Sequence, residues 1–339
     1  MTLPDSSRFQ FTEDMEICRI LNGMWQVSGG HGPIDRAAAV EDMFPYVEEG
    51  FTTWDLADHY GPAEDLVGEF RRRLVDDKGS QALEKVQAFT KWVPSPGPMT
   101  RGVVEQAMDV SLRRMATDCL DLLQFHWWDY KDESYLDALS HLSNLRDEGK
   151  IRHVALTNFD TERLKRIIGH GIKIVSNQVQ FSLVDRRPEV EMVKLCLDQG
   201  IHLLAYGTLC GGLLSDNYLG TPEPSRANLS TASLSKYKQM VDAWGGWELF
   251  QELLQALKIV ADKREVSVAN VAVRYVIDRP AVAGAIVGVR LGASEHRADT
   301  AKVFSFNLDQ QDLDQIDAVQ NRSKDLYQII GDCGDEYRR

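Results

Sequence analysis

The strongest constraint on the fold is an eightfold alternation of short apolar strands with helix-patterned segments. The strand candidates are LNGMWQ (21–26), TTWDLA (52–57), VQAFTKW (86–92), CLDLLQF (119–125), IRHVALT (151–157), KIVSNQV (173–179), IHLLAY (201–206) and VAGAIVG (282–288). Each is β-branched or leucine-rich and bounded by turn signals. Between them run helical spacings, such as Ala38, Val40, Met43, Phe44 and Val47, which stop at Gly50. Alternating units of this kind make right-handed βαβ crossovers and a parallel sheet. Eight of them predict closure into a (β/α)8 TIM barrel spanning 1–339 as one domain. An open doubly wound sheet would begin with a G-x-G-x-x-G turn, and Gly29-Gly30-His31-Gly32 is not that pattern. Residues 8–20 read as an N-terminal hairpin. A long Gly/Ser/Thr-rich loop follows strand seven at 207–246. Residues 308–339 hold an extra C-terminal helix (Leu313, Ile316, Val319) and a charged tail.

Charge narrows the partners. A net charge of -13 argues against a nucleic-acid or anionic-membrane surface. Five scattered cysteines without a C-x-x-C pair argue against a structural metal or disulfide framework and favour a reducing compartment. The N-terminus lacks the basic and apolar regions of a secretory signal, and no apolar run is long enough to cross a bilayer. The expectation is a cytoplasmic protein acting on a small molecule, with no metal.

The chemistry sits at strand ends, where barrel enzymes build their sites. Asp55 ends the second strand, Tyr60 lies in the loop above, Lys91 nears the end of the third, and His126 follows the fourth. Alternation along TTWDLA puts Asp55 toward the barrel axis if Trp54 packs outward. A lysine in a closed barrel mouth needs a counter-charge, and Asp55 is one strand away. An ammonium beside a phenol is expected to lower its pKa, which suits Tyr60 as an acid. His126 is placed to orient a carbonyl oxygen by donating a hydrogen bond. Trp25, Trp92 and Trp127, with Trp128, would wall a substrate pocket. Plainer readings of the same residues remain: Asp55 as a turn cap, Lys91 as a solvated strand end, His126 as a structurally satisfied side chain.

With those residues in order, the chain resembles an aldo-keto reductase from about residue 15 to 305. This is a (β/α)8 barrel family that transfers hydride from NADPH to carbonyls. DLADHY is similar to the family's D-x-A-x-x-Y segment, and its Asp, Tyr, Lys and His tetrad falls on Asp55, Tyr60, Lys91 and His126. The resemblance implies further roles. LTNF is similar to S-N-F, placing Thr157 and Asn158 near the nicotinamide carboxamide with Gln178. AYGTL is similar to A-Y-S-P-L, making Tyr206 the ring under the nicotinamide. Gly207, Thr208, Leu209 and Gly211, with Gly212, would carry the loop that covers the pyrophosphate. GMWQ, with Gly23, Met24 and Trp25, matches the first-strand segment.

VGVRLGASEHRADT is similar to the family's adenosine 2'-phosphate site, with departures. Gly288 and Asn217 stand where relatives place Lys. His296 stands where Arg or Gln is frequent, and Thr300 follows Asp299 where Asn is usual. Arg290 and Arg297 are the candidates to compensate, because guanidinium suits phosphate. The implied cofactor is NADPH, with NADH not excluded.

The leading function is an NAD(P)H-dependent oxidoreductase that reduces aldehydes or ketones, with Tyr60 as proton donor. The alternative is a redox-sensing cofactor-binding subunit of a larger, channel-like assembly. A barrel lyase using Lys91 as a Schiff base would leave Tyr206 and VGVR without purpose.

Overall fold

The computed structural model describes residues 2–30, 32 and 34–338. His31, in the glycine turn discussed above, lies outside them. Eight parallel strands close the barrel: β3 (Ile20–Gly23), β4 (Thr53–Asp55), β5 (Gln87–Trp92), β6 (Leu120–Phe125), β7 (Ile151–Thr157), β8 (Ser176–Gln180), β9 (His202–Tyr206) and β10 (Val282–Gly288). The seam is β10 on β3, with Ala285 opposite Ile20 and Gly288 opposite Gly23. The ring of helices begins with α1 (Arg36–Glu49), α2 (Ala63–Lys78), α3 (Arg101–Arg114), α4 (Ser134–Asp147), α5 (Thr161–Gly169) and α6 (Met192–Gln199). It continues with α7 (Ala232–Trp244), α8 (Gly246–Arg264) and α9 (Val268–Ile277). After the seam strand come α10 (Arg297–Thr300), α11 (Gln310–Gln320) and α12 (Leu326–Ile330).

Local sequence accounts for the helix ends. The Asp35 carboxylate accepts from the Ala37 and Ala38 amides, and Gly50 closes α1 at φ 106°. Thr100, Asp160, Thr231 and Ser267 cap α3, α5, α7 and α9 in the same way.

The hairpin, β1 (Arg8–Thr12) with β2 (Met15–Cys18), plugs the barrel from below. Phe11, Met15 and Ile17 join Leu21, Phe89, Leu122, Ala155 and Leu204 in an apolar interior. Phe11 stacks on Phe89 at 5.7 Å between ring centroids. A second, larger core lies between strands and helices. There Trp54 packs on Tyr46 and Phe70, as the alternation along β4 requires.

Three expected elements differ. The first barrel strand stops at Gly23. The Met24 amide makes its last bond to the Asp55 carbonyl, and Trp25–Ser28 curl into a 3₁₀ turn that brings Trp25 to the mouth. KIVSNQV is strand only from Ser176, with Val175 already bonded to Val154 and His202 on the two flanking strands. The stretch 207–246 is not all loop, because α7 occupies its second half.

The Phe11→Ala variant removes the top of the plug. It is expected to lose about 3–5 kcal/mol of unfolding free energy, read as a lower denaturation midpoint with little change in slope.

Candidate active site

A polar layer sits on the apolar interior at the C-terminal ends of the strands. Asp55, Lys91, Gln124 and Gln178 all point inward from β4, β5, β6 and β8. Lys91 Nζ lies 2.5 Å from Asp55 Oδ1 and also donates to the Leu56 carbonyl at 2.9 Å. The other carboxylate oxygen accepts from Gln124 Nε2 at 2.9 Å and Gln178 Nε2 at 2.7 Å. Gln178 also donates to Gln124 Oε1 at 2.6 Å. Both ion-pair side chains are 4% exposed.

The loop above β4 is pinned to β5, with the Leu56 amide on the Phe89 carbonyl and the Asp58 amide on the Lys91 carbonyl. This places the Tyr60 ring over the pair, its centroid 5.1 Å from Lys91 Nζ. Trp25 meets Tyr60 edge-on at 5.0 Å. The expectation that the ammonium lowers the phenol's pKa is not met. Burial first, then the charge of Asp55, push Tyr60 well above its ordinary value near 10. Burial also pushes Lys91 below its ordinary value, against the pull of Asp55. The physical reason is that loss of water around the phenol, together with the Asp55 carboxylate, outweighs an ammonium that Asp55 already engages.

His126 is 3% exposed, and its amide bonds to the Trp92 carbonyl. Nδ1 lies 3.1 Å from the Thr157 carbonyl oxygen, while Nε2 is buried with no partner among the described residues. Burial lowers its pKa to about 4. A carbonyl can only accept, so Nδ1 carries the proton, and in the neutral ring Nε2 is then an acceptor. In this tautomer the expected donation to a carbonyl oxygen needs the imidazolium, which burial disfavours. A protonated phenol and an imidazole acceptor over an ion pair can hold, aim and release one proton at an oxygen.

The aromatic wall is also rearranged. Trp128 meets His126 edge-on at 4.3 Å and is 40% exposed. Trp127 turns inward against Phe125, its indole N–H donating to the Asp129 and Asp132 carbonyls. Trp92 is buried beside Phe125.

The residues the resemblance assigned to a dinucleotide fall into two groups. Around β9, the Tyr206 hydroxyl donates to Asn158 Oδ1 at 2.8 Å, and Asn158 turns the chain at φ 60°. Gly207 has φ 71°, and a Cβ there would lie 2.5 Å from the Tyr237 hydroxyl, so the turn lies flat against α7. Gly211 also approaches α7, where a Cβ would lie 3.0 Å from the Ser233 backbone. Leu209 is half-buried, and Thr208 is buried with no partner for its hydroxyl among the described residues. Thr157 and Gln178 also meet the polar layer, through His126 and Asp55. Gly23 lies against the seam, where a Cβ would meet Ile286 at 2.7 Å, and Met24 is fully buried.

Across the seam, a Cβ on Gly288 would strike the Gln26 amide at 2.1 Å, so no lysine fits without moving Gln26. Arg290 and His296 are exposed. Asp299 accepts from Ser267 Oγ at 2.9 Å, and the Thr300 amide donates to the His296 carbonyl. The Arg297 guanidinium covers Tyr46 at 5.1 Å and donates through Nε to Glu49 at 3.2 Å.

Sequence reasoning missed Gln124, Lys236, Glu336 and Tyr337. Gln124 carried a signal, a polar residue at the inward phase of an apolar strand. The other three come from α7 and the tail, and meet at Tyr206. Its hydroxyl lies 3.2 Å from both Glu336 Oε1 and the Tyr337 hydroxyl.

A model of the Aldo/keto reductase family matches residues 19–321. Flagellar radial spoke protein 5 of Chlamydomonas reinhardtii is 28% identical over 66% of this chain, which spans about half (49%) of that relative's length. Glyoxal reductase of Bacillus subtilis is 30% identical over 88% of this chain and 87% of its own. A solved aldo/keto reductase from Klebsiella pneumoniae, in complex with NADP and acetate, has the same fold. Its TM-score is 0.68 at 24% identity, over 93% of this chain and 95% of that one.

A histidine held neutral contributes stability that is fully present above its unfolded value near 6.5 and is lost as pH falls toward about 4. Across that window the wild type is expected to lose about 3 kcal/mol relative to His126→Asn. Denaturant melts of both proteins at pH 7 and pH 4 check this, and a constant difference would contradict the buried neutral ring.

Proposed function

Since the chain belongs to the aldo/keto reductase family, we propose that it is an oxidoreductase that reduces small aldehydes and dicarbonyls at the Tyr60–His126 cleft with a nicotinamide dinucleotide. The observation that carries this reading is the buried Lys91–Asp55 pair with the Tyr60 ring over it, at the same strand ends as a buried His126 Nε2 that has no partner among the described residues. The similarity to a glyoxal reductase supports the substrate class.

Tyr206 and Asn158, with the turn from Gly207 to Gly211, would hold the nicotinamide half. The segment from Gly288 to Thr300 would hold the adenosine half. When bound in reduced form, the dinucleotide supplies the hydride. Tyr60 keeps its proton at neutral pH and gives it up to the substrate oxygen as negative charge develops there. Lys91, fixed by Asp55, then stabilises the phenolate left behind. His126 Nε2 accepts from the hydroxyl once the oxygen is protonated, and so fixes the product alcohol. Trp25 and Trp128 flank the opening and keep water from the reacting oxygen.

Titration of the protein with NADPH and NADH, followed by an aldehyde screen under the tighter cofactor, tests the reading. Cofactor binding with no turnover on any carbonyl would favour the redox-sensing alternative. Tyr60→Phe is expected to lower kcat at least about a hundredfold with cofactor affinity nearly unchanged, and wild-type turnover would refute the donor role.

We also infer a preference for NADPH that rests on Arg290, the basic residue of VGVR where the resemblance puts the 2'-phosphate, because Gly288 and Asn217 offer no charge there. Arg290→Ala should weaken NADPH about ten- to a hundredfold, as one charge-assisted hydrogen bond would, and leave NADH nearly unaffected. Equal losses for both cofactors would remove Arg290 from the phosphate site.

A further inference from the structure

The charged tail does not trail away from the barrel. From Gly331 to Arg338 it lies across the mouth, fastened at both ends. The buried Arg187, already paired with Asp185, donates to the Asp332 carbonyl at 2.9 Å and to Glu336 at 3.0 Å. The Asp332 carboxylate accepts from the Thr161 amide at 2.7 Å. Gly334 passes so close to Asn158 that a Cβ would lie 2.1 Å from its carbonyl oxygen. Arg338 donates to that same carbonyl at 2.7 Å and to the Trp127 carbonyl at 2.6 Å.

Between these anchors the tail reaches the residues assigned above to the nicotinamide. Tyr337 lies 6.1 Å from His126 and 6.4 Å from Trp128, ring to ring. Its hydroxyl is 2.5 Å from Lys236 Nζ. That ammonium stands over three rings at once, Tyr206 at 5.1 Å, Tyr237 at 5.3 Å and Tyr337 at 4.4 Å. A cation caged by aromatic faces beside the Glu336 carboxylate is a satisfied arrangement. It also covers the ring on which a flat cofactor would stack.

We propose that residues 331–338 form a self-occupying strap. Tyr337, with Lys236 clasped beside it, lies against Tyr206 at the nicotinamide end of the mouth, and a dinucleotide binds by displacing it. The inference rests on the dinucleotide reading above. Strap and cofactor compete for Tyr206, so apparent affinity is reduced by the fraction of molecules with the strap lifted. Because the strap carries no fixed cross-link and is anchored beside, not on, the polar layer, it can leave without disturbing Asp55 or Lys91.

The test uses the full-length chain as wild type, Tyr337→Ala and Tyr337→Phe. NADPH binding is followed by stopped-flow tryptophan fluorescence, and hydrogen exchange of the tail is measured with and without NADPH. Tyr337→Ala is expected to bind about tenfold tighter or more, mainly through faster association, as the pre-equilibrium cost is removed. Tyr337→Phe should fall between, and NADPH should raise exchange across 331–338 in the wild type. Equal or weaker binding by Tyr337→Ala, or a tail that NADPH protects, would overturn the strap and make the segment a cover that closes over the cofactor. Absence of binding by every protein would overturn the dinucleotide reading and the strap with it. Should the alanine variant not fold, the phenylalanine variant and wild-type exchange decide.

Discussion

The barrel mouth depends on an ion pair that water does not reach. Taking an ammonium and a carboxylate out of water costs several kcal/mol per ion, and their attraction offsets that only when the remaining lone pairs and protons are filled. Here the Leu56 carbonyl takes a second ammonium proton, and Gln124 and Gln178 donate to the carboxylate oxygen nearest to them. The partners come from four different strands, so the pair survives only if all four are in register. A one-residue slip in β5 would turn Lys91 toward the helices and Phe89 out of the plugged interior. The apolar layer below and the polar layer above thus hold each other in place.

Burial then sets the protonation of what faces the pair. The same loss of water that pushes the Tyr60 phenol up pushes the His126 imidazole down. Both are neutral over the physiological range, one as donor and one as acceptor. Charge at the mouth is confined to groups with partners: Lys91 with Asp55, and Arg187 with Asp185 and Glu336. A cleft arranged this way can move a proton without first rearranging a bound charge.

The barrel was legible because its signals are local. Eight apolar runs, their turn residues and the inward phase of Asp55 and Lys91 are all readable from spacing, and VAGAIVG matched its strand residue for residue. What the sequence hid was non-local or electrostatic. Trp127 and Trp128 are adjacent and chemically identical, and only packing on Phe125 decides which faces the cleft. Arg297 reads as phosphate-directed until Tyr46 and Glu49, far away in the chain, are found to hold it. The phenol's pKa could not be read from a neighbouring lysine, because the result depends on how fully Asp55 has already claimed that lysine. The segment Asp335–Arg338 reads in the sequence as part of a charged tail. Its place in the mouth comes from Arg187, Thr161 and Asn158, none of which marks it in the sequence.

The central claim is that the Lys91–Asp55 pair supports a phenol that stays protonated until an oxygen demands the proton. The most direct measurement is a tyrosinate absorbance titration of the wild type minus Tyr60→Phe, run from neutral pH to pH 10. The account predicts no phenolate signal from Tyr60 in that range, since burial holds its pKa well above 10. A difference signal that titrates below pH 9 would contradict it.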